Sequence, residues 1–530
     1  MNINFLIPFI VLLWFIAITR LILRQTAIWQ TKEYRLDRMR EYLRLPSTTQ
    51  AIFSPFELLK WLLLVCFAAG QSVFGLFPML VFAIFLLDFI VALKELRGHS
   101  LLHPKMTAKA ILIILLSSSL VLFVVFVVLF NSGVSVGAFV LTERAVSLII
   151  LLVILIIYPF SRFFINKKIQ SAIQKRAGFT GLVAVGITGS YGKSGTKNFL
   201  GTLLTGKDYI ITPGNTNTEI GVAQFVIDKL KPQTKYFIAE MGAYRTGEIK
   251  SLAKIVQPQI GILTAVGNQH LGLFGSLENI RRAKYELIDA LPPNGTAIFN
   301  LDDPVCRELA SKTKHCKVST YGVASDADLR AQIIRSDQNG IEAKIFGAVP
   351  ETVVQLPIVG QHQLNNVLGA ILGALALGVT WEEIVKNIPN LKPEKQTMEK
   401  RLLPNGALII DDSYNSNVNG VIAALKNLNT LPQQNKIVIL TPMIELGNES
   451  ESAHRLAGEI LGATETQTYY TGTDFENSLL EGIKKINPSY KIFTRLNPQA
   501  ILSQLRKRLN KDTVILLEGR VPKIIREELR

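Results

Sequence analysis

Apolar and polar positions follow two different patterns along this chain. In the first third they separate into long blocks: "FLIPFIVLLWFIAITRLIL" (5–23), "ELLKWLLLVCFAAGQSV" (57–73), "GLFPMLVFAIFLLDFIVAL" (75–93), "KAILIILLSSSLVLFVVFVVLF" (109–130) and "AVSLIILLVILIIYPFSRFF" (145–164). Each is close to the roughly 20 apolar residues that cross a bilayer as a helix. The second and third predict a tight hairpin. The first lacks a basic leader and a small-residue cleavage site, so it reads as a retained anchor rather than a secretion signal. An all-α transmembrane domain of about five helices is expected over residues 1–165.

From about residue 181 the pattern changes to short β-rich runs alternating with helical ones. "LVAVGIT", "YIITP", "KYFIAEM", "IGILTAV" and "GTAIFN" predict strands, with helical stretches such as "NIRRAKYELIDAL" between them. That alternation predicts a parallel sheet covered by helices. Residues 316–358 read as hairpin-like, and "PNLKPEKQ" (389–396) marks a boundary. Alternation then resumes with "ALIIDD", "KIVILTP", "TYYTG", "KIFTR" and "TVILLEG", a Rossmann-like set of about five strands. The expected plan is α/β: a basic juxtamembrane linker (166–180), a central domain (181–392) and a Rossmann-like C-terminal domain (393–530).

Charge sets the orientation. The net charge is +16, and much of the excess flanks the apolar blocks. Arg24, Lys32, Arg35, Arg38, Arg40 and Arg44 lie in 24–56; Lys94, Arg97 and Lys105 in 94–108; Lys167, Lys168, Lys175 and Arg176 after the fifth block. The connections "QSVFG" and "NSGVSVG" carry no basic residue. By the positive-inside rule the N-terminus lies outside and the C-terminal body in the cytoplasm, as in a multi-pass protein of the inner membrane. Membrane flanks account for the basic excess, so no nucleic-acid partner is expected. Asp88, inside the third block, reads either as functional or as hydrogen-bonded within the bundle. Glu143 and Arg144 read as interfacial. The three cysteines have neither disulfide nor zinc spacing and read as free thiols.

The chemistry centres on "GITGSYGKSGTK" (186–197), between a predicted strand and a predicted helix. The usual phosphate loop is G-x-x-x-x-G-K-[ST], but Ile187 stands at its first glycine. What remains is Thr188, Gly189, Ser190, Tyr191, Gly192, Lys193, Ser194 and Gly195. Glycines let the backbone N–H groups face phosphate oxygens, Lys193 supplies charge to the β- and γ-phosphates, Ser194 offers a hydroxyl to Mg²⁺, and the helix dipole adds to both. A nucleoside triphosphate with Mg²⁺ is therefore expected at this loop.

This TGxxGK[ST] variant resembles the Mur ligase family of ATP-dependent amide ligases of cell-wall peptide synthesis. The resemblance continues through "TPGNTNTEIGVA" (212–223), "AEMGAYRTGEI" (239–249), "VGNQHLGLFGSLENIRRAKYELI" (266–288), "NLDD" (300–303), "GQHQLNNVLGAILGALALGV" (360–379), "IIDDSYNSN" (409–417) and "MIELGNESESAH" (443–454). It is nearest the MurF type, which joins D-alanyl-D-alanine to a UDP-muramoyl tripeptide. The resemblance implies ATP as that nucleotide, a central ATP-binding domain and a Rossmann-like C-terminal domain. In it a carboxylate becomes an acyl phosphate that an amine displaces.

The resemblance also implies roles. Ser194 and Glu240 hold one Mg²⁺ and His270 helps hold a second. Lys284 matches a lysine that several members carry as a carbamate. Taken alone, Glu240 reads also as an ordinary strand-end acid, His270 more often as a structural histidine, and Lys284 equally as a solvated helix lysine; Glu240 and His270 at the ends of two successive strands favour the site reading. His362 and Asn366 line the adenine pocket, Gln363 replaces the usual Asn, and Asp412 approaches the nucleotide. Asn215, Asn217, Thr218, Tyr414 and Asn415 fall in substrate segments.

Three departures stand out. Thr397 replaces an arginine, with Arg401 as a candidate substitute. Glu518-Gly519-Arg520 replaces a KGS. Apolar spans stand where the family has its UDP-sugar-binding domain, so the acceptor is expected to be a small-molecule or lipid-linked wall precursor at the inner membrane, with D-alanyl-D-alanine as amino donor. Other products remain open, namely poly-γ-glutamate or an amidated lipid-linked wall peptide. So does an NTPase-driven transporter, against which stands the absence of internal repeats among the spans.

Overall fold

The computed structural model describes residues 5–68, 76–97, 101–132, 136–214, 216–337, 340–358, 360–393, 397–413 and 418–530. The chain divides into two compact units, Met1–Phe164 and Ile165–Arg530.

In the first unit, five segments among the described residues are helical and long and apolar enough to cross a membrane: Ile7–Thr31, Pro46–Ala68, Phe77–Arg97, Ala108–Phe130 and Val136–Ala177. Ile10, Trp14, Val81, Phe85, Ile113 and Ile150 form its core. Outward-facing Leu115, Phe126 and Leu148 remain exposed, an arrangement suited to an apolar solvent. The core also holds charge. Lys60 Nζ lies 2.7 Å from Asp88 Oδ2 and 3.1 Å from Glu143 Oε1. Arg144 pairs with Glu57 at 2.6 Å, and Arg20 with Glu95 at 2.6 Å. Asp88 thus takes its bundle-bonded reading. Glu143 and Arg144 depart from their interfacial one: Glu143 is buried and shared between Lys60 and Arg144. An unpaired charge in a low-dielectric bundle is too costly, so these groups satisfy one another.

The second unit begins inside the last helix. The predicted basic linker continues that helix to Ala177, and its face with Ile169 and Ala172 is buried in the core of this unit. Buried Arg176 donates to the carbonyl oxygens of Val256, Phe179 and Leu182.

The first sheet of this unit contains β1 (Val183–Thr188), β2 (Tyr209–Ile211), β3 (Tyr236–Glu240), β4 (Ile260–Leu263), β5 (Thr296–Asn300), β6 (Lys317–Gly322), β7 (Leu329–Asp337), β8 (Gly340–Gly347) and β9 (Thr352–Leu356), in the order β2-β3-β1-β4-β5-β6-β7-β8-β9. Strands β1 to β6 pair in parallel, as their near-continuous apolar runs dictate. Of the region expected to be hairpin-like (316–358), β7 to β9 pair antiparallel, whereas β6 pairs in parallel with both β5 and β7. Apolar cores cover both faces.

The second sheet contains β10 (Glu399–Leu402), β11 (Leu408–Asp412), β12 (Asn435–Leu440), β13 (Thr466–Tyr470), β14 (Ile492–Phe493) and β15 (Thr513–Glu518), in the order β10-β11-β15-β12-β13-β14. The five strands expected from sequence are parallel. β10 is an additional antiparallel edge, hidden in sequence by its polar composition, "EKRL".

Candidate active site

The phosphate loop lies between β1 and the helix Lys193–Leu203. Its path is fixed by bonds to the segment after β4. Ser190 N donates to Ala265 O at 2.7 Å, Ser190 Oγ to Gly267 O at 3.0 Å, and Thr264 Oγ1 to Tyr191 O. Thr188 Oγ1 reaches Met241 O at 2.8 Å, tying the loop to the end of β3. The Tyr191 ring packs over Gly267, and burial pushes its phenol up to about 12. Gly192 caps the helix at φ 80°, and a Cβ there would stand 2.3 Å from Asn366 Oδ1. Only glycine satisfies both constraints. Asn366 also lies over Gly195, so the helix Gln361–Ala376 closes down on the loop. Lys193 Nζ bonds the loop's own carbonyls, Gly189 O at 2.7 Å and Ser190 O at 3.1 Å.

Glu240, at the carboxyl end of β3, is 1% exposed. Its Oε2 accepts from Ser194 Oγ at 2.8 Å and pairs with Lys197 Nζ at 3.0 Å. Its Oε1 accepts from Asn217 Nδ2 at 2.9 Å. Burial works to raise the Glu240 carboxyl, but Lys197, Lys193 and Asn217 outweigh it and hold it below its usual range. It is therefore more than an ordinary strand-end acid. Hydroxyl and carboxylate oxygens are hard donors suited to Mg²⁺. The 2.8 Å separation of Ser194 Oγ and Glu240 Oε2 is near the spacing of adjacent oxygens in an octahedral Mg²⁺ shell, about 3 Å.

His270 follows β4 and holds a left-handed backbone at φ 60°. Its Nδ1 lies 2.5 Å from Glu445 Oε2, and its ring meets Tyr244 edge-on with centroids 4.6 Å apart. Burial keeps the imidazole below its usual value against the opposing pull of Glu445, and Lys284 and Lys193 add to the lowering. Lys284 is not a solvated helix lysine. It lies on the buried face of Leu277–Asp289, 2% exposed, with Nζ 5.7 Å from the Phe274 ring centroid. Burial, then Lys193, pushes its ammonium down to about 7. Lys193 acts electrostatically on Glu240, His270 and Lys284, and Lys284 on His270.

Other expected residues lie around this centre. His362 is exposed at the start of Gln361–Ala376. Nearby, Gln363 Oε1 and Asn365 Oδ1 are buried without a hydrogen-bond partner among the described residues, so this helix end holds polar atoms fit to receive a ligand. Thr218 stands at the N-cap position of the helix Glu219–Lys229, its side chain making no capping bond there. Asn215, Tyr414 and Asn415 lie outside the described residues. Asp412 bonds Met398 N at 3.2 Å and neighbours Glu518 across β11 and β15. Burial and the adjacent Asp411 push its carboxyl up to about 7. The candidate substitute Arg401 is held by buried Asp411 at 2.7 Å.

Sequence reasoning missed Lys197 and Glu445. Lys197 lies one helical turn beyond Lys193, on the same face, a spacing that offered a signal. Glu445 lies in the resemblance segment 443–454, but its separation of 175 residues from His270 gave no sign of their pairing.

A phosphate loop on a parallel sheet, followed by a Rossmann-like sheet, is the plan of a nucleotide-dependent ligase. Residues 187–374 match the Mur ligase middle domain, and residues 396–521 match the Mur ligase, glutamate ligase domain. The two matches together cover more than half of the chain, and the chain belongs to the Mur ligase family.

Its relatives include UDP-N-acetylmuramoyl-tripeptide–D-alanyl-D-alanine ligases. That of Bacillus subtilis is 28% identical over 342 residues, 64% of this chain and 73% of the relative. That of Escherichia coli is 32% identical over 277 residues, 52% of this chain and 61% of the relative, so the alignment spans less than two thirds of the latter. Among solved structures, MurF from Acinetobacter baumannii superposes with a TM-score of 0.63 at 27% identity, covering 69% of this chain and 80% of that one. MurF from Thermotoga maritima in complex with ADP gives 0.61 at 27% identity, covering 68% and 82%.

Proposed function

We propose that this protein is a membrane-anchored, ATP-dependent ligase of the MurF type that adds D-alanyl-D-alanine to the peptide of a cell-wall precursor. The observation that carries the reading is the Glu240 hub, where a carboxylate on the central sheet meets the phosphate-loop hydroxyl of Ser194 beside Lys193 and Lys197.

In this reading Lys193 leaves the carbonyls of Gly189 and Ser190 to neutralise phosphate oxygens, and the loop N–H groups cradle them. Ser194 and Glu240 hold one Mg²⁺, and His270 helps hold a second. ATP supplies the phosphoryl group that activates the acceptor carboxylate, and Mg²⁺ supplies charge that offsets the negative charge built up in transfer. Lys284, with a pKa of about 7, has the neutral amine that carbamate formation requires. As a carbamate it would bring negative charge to the metals instead of repelling them. His362, Asn366 and the buried amide oxygens of Gln363 and Asn365 receive the adenine.

The five spans hold the catalytic unit at the cytoplasmic face of the inner membrane, N-terminus outside, as the basic connections favour. There the acceptor is a lipid-linked or membrane-channelled precursor. Mass spectrometry of the product from ATP, D-alanyl-D-alanine and either UDP-linked or lipid-linked tripeptide tests both parts. Ligation of neither overturns the ligase reading. Ligation of the UDP-linked acceptor alone, equally well after removal of the spans, overturns the membrane substrate.

A further inference from the structure

His270 belongs to the middle domain and Glu445 to the glutamate ligase domain, yet they form one clasp. The side chains meet at 2.5 Å, and Gly272 N donates to Glu445 O at 3.0 Å. Gly447 at φ 58° comes so close that a Cβ on it would stand 2.8 Å from Gly272 Cα. Both His270 (φ 60°) and Glu445 (φ 66°) hold the left-handed backbone conformation, which non-glycine residues adopt only where surroundings impose it. Their side chains are 18% and 10% exposed.

We infer that Glu445 is a positioning residue for His270, so that the divalent-cation site of one domain is completed by a carboxylate from the other. A carboxylate only accepts hydrogen bonds, so His270 Nδ1 carries the proton and donates it to Glu445. In the neutral ring this leaves the lone pair on Nε2, the atom free to bind a cation. The carboxylate fixes tautomer and ring orientation together, while Tyr244 supports the ring edge-on. When the C-terminal domain moves away, His270 loses its acceptor, so cation affinity reports domain docking. The inference rests on His270 being a cation ligand, as proposed above.

The test is Mn²⁺ binding to the full-length, detergent-solubilised protein with ADP, followed by electron paramagnetic resonance. His270→Ala sets the reference loss. Glu445→Ala is expected to weaken Mn²⁺ binding about 10- to 100-fold, with ADP binding in the absence of metal unchanged. Glu445→Gln, whose amide oxygen still accepts from Nδ1–H, is expected to bind close to wild type. In the His270→Ala background, Glu445→Ala is expected to add nothing. Wild-type Mn²⁺ affinity in Glu445→Ala, or a loss that persists in the His270→Ala background, overturns the inference. If His270→Ala itself leaves Mn²⁺ binding unchanged, the ligand role of His270 falls and this inference with it.

Discussion

Lys197 Nζ lies 3.0 Å from Glu240 Oε2 with each side chain 1% exposed, so the carboxylate at the heart of the site has a cation built into the chain. Lys197 also donates to Gly214 O at 3.1 Å, joining the phosphate-loop helix to the segment before Asn217. Replacing it leaves a buried anion without its counter-charge. Lys197→Met is expected to lower stability by about 3–5 kcal/mol. Thermal unfolding checks this, and ADP with Mg²⁺ is expected to recover part of the loss by binding the folded state.

Lys193 contrasts with Lys197. Its Nζ donates to carbonyls of its own loop, and its charge favours ionised Glu240 while opposing charged His270 and Lys284, so Lys193→Ala is expected to lower the melting temperature less than Lys197→Met does. Loss of its charge on the phosphates is expected to lower turnover at least about 10²- to 10³-fold. Phosphate release dependent on both amine and acceptor is the assay. Retained ligation contradicts the role given to Lys193.

Two groups with pKa near 7 give stability an opposed pH dependence. The buried Lys284 ammonium falls from 10.5 to about 7. Below pH 7 both folded and unfolded chains carry its proton; from 7 toward 10.5 the folded chain has already released it, so stability rises with pH. Asp412 rises from 3.8 to about 7. Between 3.8 and 7 the folded chain keeps a proton that the unfolded chain has lost, so stability falls as pH rises. Unfolding midpoints across pH are expected to show a minimum near neutrality. Lys284→Met removes the upper slope and Asp412→Asn the lower one.

Truncation distinguishes the end of the apolar helical unit from the start of the unit that carries the sheets. A chain beginning at Ile165 keeps Ile169 and Ala172 in the core and the backbone bonds of Arg176 to Val256, Phe179, Leu182 and Gln257. One beginning at Gly181 loses all of them. The longer form is expected to unfold at the higher temperature, the gap closing in Arg176→Ala of the longer form by the share those bonds supply.

The sequence made the strands of both sheets legible because parallel, doubly covered strands demand unbroken apolar runs, as in "VAVGIT" and "TVILLE". It made the loop legible because glycine, lysine and serine crowd into a few residues. The polar β10 escaped notice, and so did the long last helix, whose basic surface read as linker while one apolar face was buried. The burial of Lys284 was also hidden, since a lysine amid "NIRRAKYELI" has the local look of a solvated face. Its surroundings come from Phe274 and the packing of its helix on the sheet. Glu445 beside His270 is a product of domain docking, which no local pattern encodes.

Finally, the pairing of Lys60 with Asp88 bears on how the first unit is made. Within its own helix Lys60 has Glu57 one turn away at 3.8 Å, but its nearest partner, Asp88, comes from the neighbouring helix. Glu143, from the last helix of the bundle, lies 3.1 Å from the same ammonium, so three helices share one buried charge cluster. Losing Lys60 would therefore strip the shared counter-charge from carboxylates on two different helices at once.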